Sequence, residues 1–176
     1  MQKKKRIRFV IFIFLIAALV CFLLIPKSIH GALHGLRYPF EVGEVIATEE
    51  IYKNTTAVLY TNKQDTNYLQ NAIIRKYGFF YKVIDKNGSI VLKQLEQLQS
   101  GEQRAECLAS WYDKGEHYFV MSTAYDKEID QIQYEGANLT PIFYKGYSIF
   151  FGWGTGHAIQ YQLYDQNGNE LEHIKP

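Results

Sequence analysis

An unbroken apolar run near the N-terminus is the strongest feature of the hydropathy pattern. It extends from Phe9 to Ile25 and follows a basic start, KKKRIR at residues 3–8. At about 1.5 Å per residue, a helix over this run would be roughly 26 Å long, near the lower limit for crossing a bilayer. Basic residues tend to remain on the cytoplasmic side of a membrane. The pattern therefore predicts a cytoplasmic N-terminus at 1–8, a transmembrane anchor at 9–25 and a C-terminal remainder outside the cell membrane.

A cleaved signal peptide is the alternative interpretation of the same run. Secretory apolar regions are usually about 7–15 residues long and precede a site of the A-x-A type. This run is longer, and the segment PKSIHGALHG after it offers only Ile29 and Gly31 as a flanking pair. An uncleaved anchor in a single-pass protein is the favoured prediction, and secretion after cleavage is the alternative.

Shorter apolar and polar alternations after the anchor predict a β-rich domain at 43–176, joined by a juxtamembrane linker at 26–42. The segment TAVLYT at 56–61 is β-branched and aromatic, which is typical of a strand. Residues 67–77 place their apolar side chains on one helical face, so a short helix is slightly favoured there over a strand. The Gln- and Glu-rich residues 93–106 suggest a second helix.

Two copies of the pattern Asp-x-Asn-Gly predict tight hairpin turns, at 85–88 and at 165–168. The glycine-rich segment GWGTGH at 152–157 precedes the strand-like AIQYQLYD, with neither the spacing nor the following helix of a phosphate-binding loop. A hairpin loop or bulge is the better interpretation of these glycines. The expected fold is α+β, with a mainly antiparallel sheet of about seven strands and one or two short helices, preceded by one N-terminal transmembrane helix.

Charge and cysteine content narrow the classes of function. Five of the 19 Lys and Arg residues precede the apolar run, and the remaining 14 face 18 Asp and Glu residues. This mildly acidic balance argues against nucleic-acid binding through phosphate neutralisation. The two cysteines are Cys21, inside the apolar run, and Cys107. A disulfide framework is therefore excluded, and the core must come from packing.

No motif in the sequence identifies a metal, a cofactor or a catalytic centre. The spacing after Asp85 and after Asp165 fits turn formation better than the Ca²⁺ loop of an EF-hand. His30 and His34 are four residues apart but lack the H-E-x-x-H arrangement. Cys107 with His117 or His157 would be the nucleophile and base of an unrecognised enzyme site. We predict no cofactor and no metal, and catalysis is not the favoured function.

An aromatic segment before and within the glycine run is the candidate binding surface. Aromatic rings beside a glycine-rich segment can stack on a sugar or dock a protein partner. Tyr147, Trp153 and His157 are the candidate ligand- or partner-binding residues, although alternate side chains of this segment can equally point into the core.

The segments KKKRIRFVIFIFLI, YGFFYKV and YDQNGNELE resemble parts of small, signal-anchored extracytoplasmic proteins of Gram-positive bacteria. In layout, the resemblance covers the whole chain. It implies a membrane topology and a class of host, and it brings no activity, cofactor or site residue with it.

The expected function is that of a single-pass membrane protein that displays an extracytoplasmic binding domain for an envelope protein or glycan. Two alternatives stay open at this point. One is a cell-envelope enzyme with an unrecognised site, and the other is an accessory subunit of a membrane complex.

Overall fold

A computed structural model describes residues 2–34, 41–156 and 160–176, and the side chains of these apart from residues 2–9, 34 and 87. Two helices come first in the chain, α1 (Gln2–Leu24) and α2 (Ile29–His34). Twelve strands follow within the described residues: β1 (Val42–Tyr52), β2 (Thr55–Asn62), β3 (Tyr68–Tyr77), β4 (Phe80–Val91), β5 (Ala105–Tyr112), β6 (His117–Ala124), β7 (Gln131–Tyr134), β8 (Ala137–Asn138), β9 (Thr140–Tyr144), β10 (Tyr147–Thr155), β11 (Tyr161–Tyr164) and β12 (Glu170–Leu171).

The prediction of a transmembrane helix is wrong for the described residues. No helix among the described residues is both long and apolar enough to cross a membrane. Basic residues fill the first two turns of α1, so that its apolar part begins near Val10, and the helix ends at Leu24. At about 1.5 Å per residue, this part is roughly 22 Å long, which is shorter than a bilayer core of about 30 Å.

The strands form three four-stranded antiparallel sheets. The first sheet is a simple meander in the order β1-β2-β3-β4. The middle sheet has the order β5-β6-β10-β9, and the third sheet has the order β12-β11-β7-β8. The β-rich prediction is confirmed, but the α+β assignment is wrong because sheet accounts for nearly all regular structure after α2.

The middle sheet lies between the other two, and side chains alternate between its faces. Phe119 and Phe151 pack with residues of the first sheet in one apolar core. Val120 and Phe150 point the opposite way and pack with residues of the third sheet in a second core. Since neighbouring strand residues face opposite sides of a sheet, one middle layer can fill both cores.

Residues 67–77 form strand β3 and not the favoured helix. Leu69 and Ile73 face the core shared with the middle sheet, whereas Ala72 and Ile74 face the outer side of the first sheet. There they pack beneath α2, whose Ala32 and Leu33 are buried. A strand buried on both faces has a nearly continuous apolar sequence, which also places apolar residues on one helical face.

The second helix predicted at 93–106 is also absent. This segment is irregular up to β5, and it makes isolated bridges from Glu96 to Asp126 and from Gln103 to Ile174. Its polar backbone groups therefore find partners in the segment after β6 and in the C-terminal segment, so no helix is needed to satisfy them.

The two Asp-x-Asn-Gly segments differ in structure. At 165–168 the predicted turn forms, and Gly168 N–H donates to the carbonyl of Asp165 at 3.0 Å. At 85–88 the predicted hairpin turn is wrong, because β4 runs straight through these residues. The pairing of β4 with β3 shifts register twice here, which identifies bulges in the longer strand. The hairpin turn lies instead at Gly78, whose φ is 60°.

Candidate functional site

Polar and aromatic side chains from the ends of five strands, β1, β3, β5, β6 and β10, lie together at one end of the stacked sheets. We call this cluster the aromatic end; it consists of Tyr52, Arg75, Tyr112, Asp113, His117 and Trp153. Antiparallel pairing brings these residues together. Tyr52 and Arg75 both lie beside Thr55, and Tyr112 and Thr155 both lie beside His117.

Arg75 ties the first sheet to the middle sheet. Its Nη1 donates to Oδ1 of Asp113 at 2.9 Å, and its Nη2 donates to Oδ2 of the same carboxylate. Nε donates to the hydroxyl of Thr55 at 3.1 Å, so the guanidinium is held on both of its edges. The hydrogen bonds from Arg75 hold the pKa of Asp113 below its usual range. The pair is therefore ionised at neutral pH and fixes the position of the turn that follows β5.

A stack of three rings lies beside this pair. The ring centroids of Tyr52 and His117 are 4.3 Å apart, and those of Tyr112 and His117 are 5.6 Å apart. Two polar atoms of the stack, Tyr112 Oη and His117 Nδ1, are buried without a hydrogen-bond partner among the described residues. Burial raises the pKa of Tyr112, so its phenol keeps its proton and can donate. Buried polar atoms are normally paired, and two unpaired ones in the same ring stack mark a place where a water or ligand group would bind.

Trp153 forms the outer part of the aromatic end. It is 38% exposed, and its ring stacks on Phe151 with centroids 6.2 Å apart and an interplanar angle of 21°. Phe151 is buried in the core between the first and middle sheets. The indole therefore presents one face to solvent while the other rests on a fixed support.

The glycine run continues β10 up to Thr155 and is not the predicted loop. A Cβ atom on Gly154 would overlap the ring and hydroxyl of Tyr118, and one on Gly152 would lie 2.7 Å from Cδ2 of Leu139. A larger residue at Gly154 would thus displace the Tyr118 ring, and one at Gly152 would displace the end of the Leu139 side chain. The prediction that a strand and not a helix follows the glycines agrees with β11, which begins at Tyr161.

The three residues predicted for the binding site do not form one cluster. Tyr147 lies at the opposite end of β10, on the same face as Trp153. Six residues at about 3.3 Å each separate the two by roughly 20 Å. His157 lies outside the described residues. Strand register places Tyr52, Arg75, Tyr112, Asp113 and His117 at the same end of the sheets as Trp153, and this association has no local sequence signature.

Cys107 is poorly placed to act as a nucleophile. Its side chain packs against the core between the middle and third sheets. On β5 it faces the opposite way from Tyr112, which lies beside His117, so Cys107 and His117 are on different faces of the middle sheet. Burial raises the pKa of the Cys107 thiol to about 12. The nucleophile is the thiolate, which is scarce at this pKa.

Alkylation will measure this protection directly. In a Cys21→Ala variant, we expect Cys107 to react with iodoacetamide at pH 8 at least about a hundredfold more slowly than an unfolded cysteine of ordinary pKa. Mass spectrometry over time gives the rate, and the same variant in denaturant provides the matched control. If Cys107 in the native protein reacted at the rate of an unfolded cysteine, its thiol would be accessible and ionised. A cell-envelope enzyme that uses Cys107 would then again be a candidate function.

A polar cleft of about 390 Å³ lies between the segment after β4 and Tyr125, and its lining includes Lys93, Glu96 and Glu106. Tyr125 Oη donates to Oε2 of Glu106 at 2.7 Å. Burial, and then this hydrogen bond, raise the pKa of Tyr125. Its phenol therefore acts as a hydrogen-bond donor and not as a base.

Among the described residues, no group of three or more His, Cys, Asp or Glu side chains is arranged to hold a metal ion. Asp165 instead accepts backbone N–H groups of Asn167 and Asn169, each at 2.8 Å, as turn-forming aspartates do. His30 and His34, the histidines four residues apart, both lie within α2, and the side chain of His34 lies outside the described part.

Comparison with known proteins identifies no relative. No protein-family model matches the chain, and neither the curated proteins nor the solved structures contain a match. What the aromatic end does must therefore be inferred from its own geometry.

Proposed function

We propose that the β-rich domain is an extracytoplasmic binding module that recognises an envelope protein or glycan with its aromatic end. The location is supported by the basic start and the apolar run, which are typical of exported chains. The observation that carries the binding role is the combination of a half-exposed Trp153, rigidly supported by Phe151, with the unpaired Tyr112 Oη and His117 Nδ1.

The chemistry of these groups suits a ligand that is flat on one side and polar at its edge. An indole face stacks on the apolar face of a sugar ring or on a peptide side chain. The unpaired phenol hydroxyl and imidazole nitrogen are buried behind the rings, so they can hydrogen-bond a polar group of the ligand that enters the ring stack. Such combinations of a few polar groups with aromatic contacts give a binding site its orientation and specificity.

The aromatic end is held in place before any ligand arrives. Arg75 and Asp113 clamp the first and middle sheets together beside the ring stack. Fixed side chains lose little conformational entropy on binding, which is why preorganised sites bind more tightly than mobile ones.

Replacing Trp153 with alanine should weaken ligand binding by at least about tenfold, since exposed tryptophans at binding sites commonly contribute more than 1.4 kcal/mol. The test begins with a thermal-shift screen of the full chain against soluble peptidoglycan fragments and oligosaccharides. A ligand at a hundred times its Kd stabilises the folded state by about 2.7 kcal/mol. The Kd of each hit is then measured for wild type and variant by calorimetry.

The matched control is Phe143→Ala. Phe143 is 73% exposed but lies on β9, opposite Ser148 and therefore near the other end of β10. We expect this variant to bind as wild type does. Equal affinity of wild type and Trp153→Ala for every hit would show that the aromatic end is not the recognition surface.

A further inference from the structure

Aromatic side chains that no sheet of the described residues covers form a second exposed surface beside the aromatic end. It is the turn between β3 and β4, residues 77–80, which we call the hairpin tip. Phe79 is 60% exposed and Tyr77 is also exposed. The rings nevertheless contact each other: Tyr77 stacks on Phe80 with centroids 5.4 Å apart, and Phe79 meets Phe80 edge-on at 5.8 Å. The tip is therefore an ordered aromatic projection.

The hairpin tip is continuous with the apolar surface of α1. The rings of Phe79 and Phe22 lie 5.7 Å apart. The backbone is joined as well, since Tyr81 N–H donates to the carbonyl of Pro26 at 2.9 Å. Large apolar side chains are exposed on every side of α1 between Val10 and Leu24. A single apolar surface thus extends from the helix onto the domain.

Lysines surround this surface. Lys27 Nζ lies 4.4 Å from the centroid of the Phe22 ring, and Lys76 Nζ lies 5.7 Å from the centroid of the Tyr81 ring. Lys82 is exposed on the other arm of the hairpin. No acidic residue occurs between Lys76 and Lys82 in the sequence. The aromatic projection is therefore bordered by positive charge alone along its own segment.

We propose that the hairpin tip docks on an anionic lipid surface, with Tyr77 and Phe79 at the level of the headgroups. Aromatic rings and lysines are the side chains enriched where a protein meets the boundary of a bilayer. A protein groove would require one apolar stripe on α1 with a polar face opposite, but residues 10–24 have no polar face. The exposed rings fit the boundary of a lipid surface, and anionic headgroups fit the lysines.

The docked tip would also orient the domain. Arg75 is two residues before Tyr77 on β3, a distance of about 7 Å along the strand. The aromatic end would then lie close to the lipid surface, and the proposed binding site would bind ligands located near that surface. This inference is independent of the proposed function, because contact with lipid can be measured without any ligand for Trp153.

A fluorescent label will test the contact. In the full-length Cys21→Ala chain, Phe79→Cys provides a labelling site, and Phe143→Cys is the matched control at an exposed phenylalanine remote from the tip. An environment-sensitive dye is attached at pH 7, where buried Cys107 reacts slowly. The protein is mixed with vesicles of phosphatidylcholine alone or with 30% phosphatidylglycerol, and with versions that contain brominated acyl chains.

We expect the label at position 79 to shift its emission to the blue and to be quenched by brominated lipid, while the label at 143 stays in water. Phosphatidylglycerol should strengthen binding at least about tenfold, because an anionic surface attracts the lysines that lie next to it. Changing Lys76 and Lys82 to glutamine should reduce that gain, to which the basic residues at 3–8 also contribute. A label at 79 that remains in water on vesicles to which the protein binds through α1 would overturn the proposal.

A second measurement needs no label and removes the two exposed rings of the hairpin tip directly. Sedimentation of Tyr77→Ser/Phe79→Ser with the anionic vesicles should show a lower bound fraction than Phe143→Ser, with both variants checked for native folding by circular dichroism. Equal bound fractions would contradict docking by the tip and would leave a protein or a second copy as its occupant.

Discussion

Replacing Arg104 with alanine is expected to lower the free energy of unfolding by about 3–5 kcal/mol, because it leaves a buried carboxylate without its main partner. Arg104 is 4% exposed, and Asp126 is 1% exposed. Arg104 Nη1 donates to Asp126 Oδ2 at 2.6 Å and to Glu128 Oε2 at 2.9 Å. Lys175 is the remaining cation near Asp126, at 3.5 Å from Oδ2, a weaker contact.

The position of Arg104 in the backbone makes the loss more severe. Its N–H donates to the carbonyl of His173, and its own carbonyl accepts from the N–H of Tyr125. The residue thus joins three segments at the start of β5, including the C-terminal one. Loosening of the ion pair will expose backbone hydrogen bonds of all three segments to water.

Denaturation by urea, monitored by circular dichroism, gives the free energies. The matched control is Lys145→Ala, which removes an ion pair with Glu44 whose two side chains are both more than half exposed. Exposed pairs contribute about 0–1 kcal/mol. A loss for Arg104→Ala no larger than that of the control would mean that water already reaches Asp126 in the native state.

The sequence patterns predicted the β-rich secondary structure of the domain better than the way its sheets stack. Alternation and turn residues correctly indicated a β-rich domain and the turn at 165–168. They misassigned residues 67–77, because burial of β3 against both the middle sheet and α2 removes the polar alternation that identifies a strand. A local sequence pattern indicates whether a face of a strand is buried, but it does not show which sheets or helices pack against that strand.

The Asp-x-Asn-Gly pattern shows the same limit in a local element. Both copies supply residues that accept unusual backbone angles. At 165–168 the flanking strands are short and pair with each other through the turn. At 85–88 the same residues form a bulge, because β3 continues alongside as a partner for β4. Whether these residues form a turn or a bulge depends on the strand that pairs beside them, and the four-residue pattern carries no information about that strand.

The candidate site was only partly accessible to sequence reasoning for a related cause. Trp153 was identified from its aromatic surroundings, whereas Arg75 and Asp113 are 38 residues apart and meet only through the stacking of two sheets. The ring stack likewise needs the registers of β1, β5 and β6 together. Sites assembled from several strand ends become visible only when those registers are known.

Replacing Phe151 with alanine should also cost about 3–5 kcal/mol of stability, and it should disable the aromatic end. Phe151 is buried between the first and middle sheets, and its ring contacts Phe119 and Trp153, each with a centroid distance of 6.2 Å. Removing it opens a cavity in the core and takes away the surface on which the indole rests. In a Trp111→Phe background, we expect the emission of Trp153 to shift to the red.

Two further variants distinguish the contribution of Phe151 to core packing from its role as the support for the Trp153 indole. Phe143→Ala, on the neighbouring strand β9, removes the same side chain from an exposed position and should change stability by no more than about 0.5 kcal/mol. Phe151→Leu retains most of the buried volume but loses the stacked ring. It should stay within about 1.5 kcal/mol of wild type while still shifting the emission of Trp153. If Phe151→Leu left both emission and ligand affinity unchanged, the indole would be held by the backbone of β10 alone, and the stacked ring would contribute only to the core.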